Sequence, residues 1–200
     1  MKKLALAAVA AVALVAPTAS HAQLSLGARV GYAKALGDLK KDDLVANQVP
    51  IQIDLDYRLF LGLTIGVYGS YGSSGVDGAA ANCSATGVDC TGRIIRAGVQ
   101  ATFTLPLPLV KPWVGAGLGY EWARIARSNA KALTASGMEA FNGQLGVDLS
   151  LGYFRVGPFL TYTLSKYDAQ TLVDSTVSTA DLKSAKGGFL YYGLRVRVDP

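Results

Sequence analysis

Two carboxylates two residues apart, Asp54 and Asp56, are the pair in this sequence whose type and spacing could perform acid–base chemistry. If the segment is a strand, both side chains lie on the same face. Hydrolysis by a carboxylate pair is then possible on paper. Nucleophilic sites of the Ser–His–Asp or Cys–His kind need an imidazole base. The only histidine of the chain is His21, so its fate decides which of these chemistries can occur.

The first 22 residues have the pattern of a secretory signal peptide. Two lysines at 2–3 precede an apolar run at 4–16, and residues 20–22 provide the small side chains of a cleavage site. The run is too short to be a retained anchor, because a helix needs about 20 residues to cross a bilayer. Cleavage after Ala22 removes His21. The mature chain then has no imidazole for a nucleophilic site or a metal site. Because Asp54 and Asp56 are expected to form ion pairs, we expect no catalytic residues, no metal site, no cofactor and no enzymatic activity.

The two cysteines, Cys83 and Cys90, have six residues between them in a loop-like segment. Export places them in an oxidising compartment, where two cysteines of one secreted loop usually pair. A Cys83–Cys90 disulfide is therefore predicted. Free thiols and a metal site are the alternatives, and the metal site is the poorer one because only Asp89 is near.

The composition favours one folded domain over residues 23–198. Hydrophobic residues make up 50% of the chain and charged residues 16%, against about 25% charged in ordinary soluble domains. Such a chain is too hydrophobic to be disordered. The isoelectric point of 9.2 gives little support for nucleic-acid binding, because two of the positive charges lie in the predicted signal peptide.

Apolar and polar residues alternate with period 2 in eight segments. In the clearest, Ile51 to Leu59, five apolar residues alternate with four polar ones, and only a strand places such sets on opposite faces. None of the residues on the apolar faces is charged. The eight segments are 24–32, 51–59, 63–71, 95–103, 114–122, 141–149, 154–162 and 190–198.

The connections alternate between long and short, as in outer-membrane barrels. Long polar connections are expected at 34–48, 72–93, 124–137 and 166–187, and short turns at 60–62, 106–108 and 152–153. The polar faces carry mostly Gly, Ser, Thr and Gln, which suits the narrow lumen of an eight-stranded barrel better than a water-exposed face. The sequence therefore predicts an all-β, eight-stranded antiparallel up-and-down transmembrane β-barrel, with its apolar residues facing lipid.

Two sets of residues follow from this arrangement. Aromatic side chains are expected at the membrane interfaces: Tyr32, Tyr57, Tyr71, Trp113, Tyr120, Trp122, Phe141, Phe154 and Tyr162. Charged residues of the lumen must pair, since an unpaired buried charge is costly. Counting back from the turns pairs Arg96 with Glu121 and Asp148 with Arg155, places Asp54 near Tyr68, and surrounds Asp54 and Asp56 with Arg29, Arg195 and Arg197.

The chain resembles the small outer-membrane barrels of the outer-membrane protein A and X kind. The resemblance rests on the signal peptide, the eight alternating strands, the four long loops and the stretch from Val156 to Leu160. It implies insertion by the barrel-assembly machinery. That family usually ends in an aromatic residue, whereas here Val198 is followed by Asp199 and Pro200.

The expected function is that of a monomeric structural or surface-interaction protein in the outer membrane of a Gram-negative bacterium. The lumen is filled, and the four long loops face outward. The expected partners are membrane lipid and, during insertion, the barrel-assembly machinery. The basic residues Arg124, Arg127 and Lys131 of the third loop leave two alternatives open, a solvated loop, which is favoured, and contact with lipopolysaccharide. The loop partner is unknown. The first alternative is a narrow channel or carrier for small, apolar compounds, which conductance would reveal. A lipid-modifying enzyme and a soluble lipocalin-like barrel are further alternatives.

Overall fold

A computed structural model describes residues 24–37, 47–75, 90–127, 130–172 and 185–199 of the chain. They form eight antiparallel strands that close into one barrel, each strand pairing with its neighbours in sequence. The strands are β1 (Leu24–Gly37), β2 (Val49–Arg58), β3 (Leu63–Gly75), β4 (Cys90–Thr104), β5 (Val110–Arg127), β6 (Ala130–Leu151), β7 (Phe154–Leu172) and β8 (Ala185–Val198). The described residues include no helix long and apolar enough to span a membrane.

The barrel closes where β1 meets β8. Their ladder runs without interruption from Leu26 opposite Val198 to Gly37 opposite Gly187. Closure leaves no free strand edge within the barrel, and this is how a sheet satisfies its backbone donors and acceptors in lipid. The predicted fold class is therefore confirmed.

The apolar side chains point outward. None of the residues assigned to the apolar faces from the sequence is buried. Val30, Val99 and Val114 each expose half or more of their surface, while their sequence neighbours on the other face are buried or half-buried. The period-2 alternation thus predicted both the strands and the face that each residue occupies.

Three of the strands extend far beyond the segments in which alternation is regular. β5, β6 and β7 contain 18, 22 and 19 residues, although about 9–11 tilted residues cross the hydrocarbon of a bilayer. The long connection expected at 124–137 is wrong, because β5 continues to Arg127 and β6 begins at Ala130. Outside a membrane the outer face need not be apolar, so the ladder can continue where the alternation stops.

The other expected long connections are also shortened by strand residues. β3 continues to Gly75 and β4 begins at Cys90, while β7 continues to Leu172 and β8 begins at Ala185. Gln48 pairs with Ala33 in an isolated bridge beyond β2. The predicted signal peptide and Cys83 lie outside the described residues, so cleavage after Ala22 and the Cys83–Cys90 disulfide stay predictions.

Candidate functional site

The lumen contains a balanced set of ionic side chains. Among the described residues, the buried cations are five arginines and the buried anions are five carboxylates. They are Arg29, Arg96, Arg155, Arg195 and Arg197, with Asp54, Asp56, Glu121, Glu139 and Asp148. No lysine is among them. The planar guanidinium group donates several hydrogen bonds at once and stacks on aromatic rings, so it suits a crowded interior.

Asp54 lies at the centre of the network. Its Oδ2 is 2.6 Å from Nε of Arg29, and its Oδ1 accepts a hydrogen bond from the Gln52 amide. Arg29 also donates to the side-chain oxygens of Gln144 and Gln100, at 2.7 and 3.2 Å. One arginine therefore connects side chains from β2, β4 and β6 across the lumen, which fixes opposite walls of the barrel relative to each other.

Asp56 lies two residues closer than Asp54 to the short turn that follows β2. Its carboxylate is 3.3 Å from the guanidinium of Arg197 and accepts a hydrogen bond from Gln100 at 3.0 Å. Arg197 also donates to the hydroxyl of Ser25. Of the three arginines predicted around Asp54 and Asp56, Arg29 contacts the first carboxylate and Arg197 the second. The ion pair of Arg195 is with Asp148 instead.

Asp148 and Arg195 form a second ion pair, at 2.8 Å. The other carboxylate oxygen of Asp148 accepts a hydrogen bond from the indole nitrogen of Trp113, and the Arg195 guanidinium stacks 3.8 Å from the centroid of that ring. The predicted Asp148–Arg155 pair is wrong. Arg155 lies opposite Ser150 and pairs instead with Asp199.

The predicted interface position of Trp113 is also wrong. Its side chain is buried in the lumen and does not face a membrane interface. The alternation of β5 already places it on the same side as Gly115 and Gly117, opposite to the outward Val114. The other eight aromatic residues assigned to the interfaces do lie on the outer surface. They are Tyr32, Tyr57, Tyr71, Tyr120, Trp122, Phe141, Phe154 and Tyr162.

Glu139 is a lumenal residue that the sequence reasoning missed. It forms a 2.6 Å ion pair with Arg96 and accepts a hydrogen bond from the hydroxyl of Tyr68. Strict alternation from Phe141 would turn Glu139 outward. A β-bulge between Glu139 and Phe141 shifts the register, so Ala140 and Phe141 both face outward and Glu139 turns into the lumen.

Arg96 lies opposite Glu121 in the β4–β5 register, as expected, although its ion pair is with Glu139. Glu121 accepts a hydrogen bond from the hydroxyl of Ser165. The predicted Asp54 to Tyr68 proximity is confirmed by the β2–β3 register.

Two glycines make room for the Tyr68 side chain. A Cβ added at Gly98 would lie 2.6 Å from its hydroxyl oxygen, and one at Gly119 would collide with the same atom.

Three arginines contact Asp199 at the short-turn end of the lumen. Its carboxylate contacts Arg58 at 3.3 Å, Arg197 at 3.1 Å and Arg155. Burial opposes ionisation, but the hydrogen bond from Arg155 and the charges of the three arginines outweigh it and hold the pKa of Asp199 below the ordinary value of 3.8. The residue that ends the alternation is thus an ionic link between β2, β7 and β8.

No family model and no curated protein matches this chain. Solved structures do. Neisserial surface protein A has a TM-score of 0.56 and 18% identity, with 91% of this chain and 100% of that chain covered. Ail of Yersinia pestis, solved in complex with the heparin analogue sucrose octasulfate, has a TM-score of 0.50 and 16% identity, with 87% of this chain and 97% of that chain covered. The outer membrane protein AlkL, solved in lipid bilayers, has a TM-score of 0.50 and 16% identity, with 92% of this chain and 95% of that chain covered. The chain has the fold of the small eight-stranded outer-membrane barrels.

Replacing Asp54 and Asp56 together with asparagine should destabilise the barrel. Arg29 and Arg197 would each lose a buried carboxylate, and breaking one buried pair costs about 3–5 kcal/mol. The free energy of unfolding in urea, measured with the barrel folded in lipid vesicles, should fall by at least that amount. Asp54→Leu combined with Arg29→Met removes both partners of one pair and should recover most of that pair's loss. A double asparagine variant as stable as the wild type would contradict the network.

Acidification should weaken the barrel through Asp199. Because the folded pKa is lowered, the stabilisation by this group is complete above the ordinary pKa of 3.8 and is lost as the pH falls through the lower folded value. Urea unfolding across this pH range should show a smaller pH dependence for Asp199→Asn than for the wild type. Parallel pH profiles for the two proteins would show that Asp199 makes no such contribution.

Proposed function

We propose that this protein spans the outer membrane of a Gram-negative bacterium and acts there as a structural and surface-interaction protein that binds lipopolysaccharide. Export by a signal peptide at 1–22 and insertion by the barrel-assembly machinery belong to the same proposal, as does a monomeric state. The short turns face the periplasm. The extended ends of β5, β6 and β7 project from the outer surface.

The outer face supports a membrane-embedded barrel. Apolar side chains cover it, and exposed tyrosines and a tryptophan lie towards the end with the extended strands. Tyr32 packs against Tyr192 and Tyr120 against Trp122, with ring centroids 5.7 and 4.8 Å apart. Rings with an apolar body and a polar edge prefer the boundary between hydrocarbon and headgroups. This aromatic belt marks one membrane boundary.

A pair of arginines directly beyond the aromatic belt is the observation that carries the lipopolysaccharide proposal. Arg93 and Arg124 lie opposite each other on β4 and β5, and both are exposed on the outer face. Arg124 follows Trp122 by two residues, about 6–7 Å along the strand. Like charges directly opposite each other are unfavourable, and within the described part of the chain neither side chain forms an ion pair. A bound anion would remove this repulsion.

The anion that fits this position is a phosphate of lipopolysaccharide. Outer-leaflet phosphates lie just beyond the aromatic belt, and arginine binds phosphate through two parallel hydrogen bonds. The side chains of Arg127 and Lys131 are outside the described part. Ail, a protein of similar fold, binds a sulfated polyanion, which is a precedent for an anion on this kind of surface.

The filled lumen favours this proposal over a channel. The Arg29 region encloses a cavity of only about 10 Å³, the space of about one water molecule, and the ionic network crosses the barrel at the same level. Passage of a solute would require several ion pairs to separate together.

Replacing both arginines, as Arg93→Gln with Arg124→Gln, should weaken binding to lipopolysaccharide about 25-fold. The estimate follows from a contribution of about 1 kcal/mol for each basic residue near an anionic lipid surface. Binding is measured by titrating the folded protein with lipopolysaccharide in bicelles of neutral phospholipid.

The matched control, Arg93→Lys with Arg124→Lys, keeps both charges and should retain most of the affinity. The proposal fails if the glutamine variant binds like the wild type. It also fails if the wild type binds a sulfated polysaccharide but not lipopolysaccharide.

A further inference from the structure

The three short turns are apolar and exposed. They contain no charged residue: Leu59 to Gly62 joins β2 to β3, Leu105 to Leu109 joins β4 to β5, and Gly152 and Tyr153 join β6 to β7. The exposed fractions are 82% for Leu61, 74% for Tyr153 and 64% for Phe60. Turns are usually rich in Gly, Pro, Asn, Asp and Ser. These three contain Gly and Pro but no Asn, Asp or Ser, and their remaining residues are leucine, phenylalanine or tyrosine. The composition of these turns indicates that they contact something apolar.

Backbone hydrogen bonds fix the turns in place. Leu63 donates to the carbonyl oxygen of Phe60 at 2.8 Å, and Thr104 donates to that of Gly62 at 2.9 Å, which ties the first turn to β4. Leu61 has a positive φ of 46°, a conformation that is uncommon for a leucine. The most exposed leucine of the first turn is therefore held outward by a well-defined backbone.

A basic pocket lies between the ends of these turns. It has a volume of about 160 Å³ and is lined by Arg58, Gly62, Thr64, Thr104, Leu105, Pro106, Lys111 and Arg155. Three cations and the hydroxyl groups of two buried threonines line it. Gly62, Leu105 and Pro106 belong to the β2–β3 and β4–β5 turns, so the pocket adjoins these apolar turns.

The described residues neutralise the cations of the pocket only in part. Arg58 and Arg155 share the carboxylate of Asp199, and Nε of Arg155 is buried without a hydrogen-bond partner. Lys111 forms no ion pair within the described ranges. Asp148 lies opposite Lys111 in the register, but its two oxygens are taken by Arg195 and Trp113. The pocket therefore has an excess of positive charge.

We propose that this pocket binds the phosphate of an anionic phospholipid in the leaflet at the short-turn end. The headgroup layer is about 5–7 Å deep on each side of the hydrocarbon, so turns that begin where the strands end lie within it. A ligand here must present an anion to the cations and an apolar group to Leu105, and an anionic phospholipid carries both. The inference takes the membrane-spanning barrel of the proposed function as given.

Lys111 is the residue to change, since no ion pair depends on it in the described structure. The folded protein is reconstituted in vesicles of phosphatidylcholine with or without phosphatidylglycerol and extracted into mild detergent, and retained lipids are counted by native mass spectrometry. The wild type should retain one phosphatidylglycerol. Lys111→Gln should lower that occupancy about fivefold, the contribution of one basic residue near an anionic lipid, and Lys111→Arg should retain it.

Lys34→Gln removes an exposed lysine at the other end of the barrel and should leave phosphatidylglycerol retention unchanged. An equal fall in this control would show non-specific attraction and overturn the inference. Release of the lipid by millimolar inorganic phosphate would also overturn it, because the pocket would then select a free anion. The inference would also be overturned if Lys111→Gln retained phosphatidylglycerol at the wild-type level. A wild type that inserts into neither kind of vesicle would contradict the membrane-spanning barrel itself.

Discussion

The width of an eight-stranded barrel is the constraint on which this structure depends. Such a lumen has room for side chains and almost nothing else, so each charged group inside must find its partner inside. The Arg29–Asp54 contact of 2.6 Å and the Arg96–Glu139 contact of the same length satisfy that requirement in two layers. Alternation then forces the remaining side chains outward, and the polar residues that fill the lumen leave an apolar outer face.

Arginine and aromatic rings fill the lumen together. Arg195 stacks on Trp113, and Arg96 lies 4.5 Å from the ring centroid of Tyr191. These contacts use the part of the guanidinium that hydrogen bonds leave free. Packing this dense also explains why the lumenal wall is rich in glycine, since Gly98 and Gly119 leave the volume that Tyr68 occupies. The same arginines therefore provide both the charge pairing and much of the packing of the lumen.

Regular alternation allowed the strands, the faces and the barrel closure to be predicted from the sequence. It failed where the backbone departs from a regular ladder. The bulge at Ala140 reverses the face of Glu139, and no residue type at that position signals the bulge. Hairpin counting misplaced Arg155 because it assumed a register that β6 and β7 do not have. Trp113 was assigned by residue type, although its position in the alternation already indicated the lumen.

The sequence also predicted long loops where the structure continues as strand. Apolar and polar residues alternate only where one face of a strand meets an apolar environment and the other a polar one. The extensions of β5, β6 and β7 have no such alternation, so the sequence did not predict them as strand. These extensions position Arg124 beyond the aromatic belt, and the apolar turns surround cations at the opposite end. The two ends of the barrel therefore differ in chemistry, as do the two leaflets of an outer membrane.

The two tryptophans of the chain allow a direct test of which face meets lipid, since Trp122 is exposed and Trp113 is enclosed. Trp113→Phe and Trp122→Phe each leave a single fluorophore in the folded barrel. In vesicles of phospholipid with brominated acyl chains, the fluorescence of Trp122 should be strongly quenched and that of Trp113 nearly unaffected. Equal quenching of both, or quenching of Trp113 alone, would contradict an outer face in contact with lipid and a lumen closed to it.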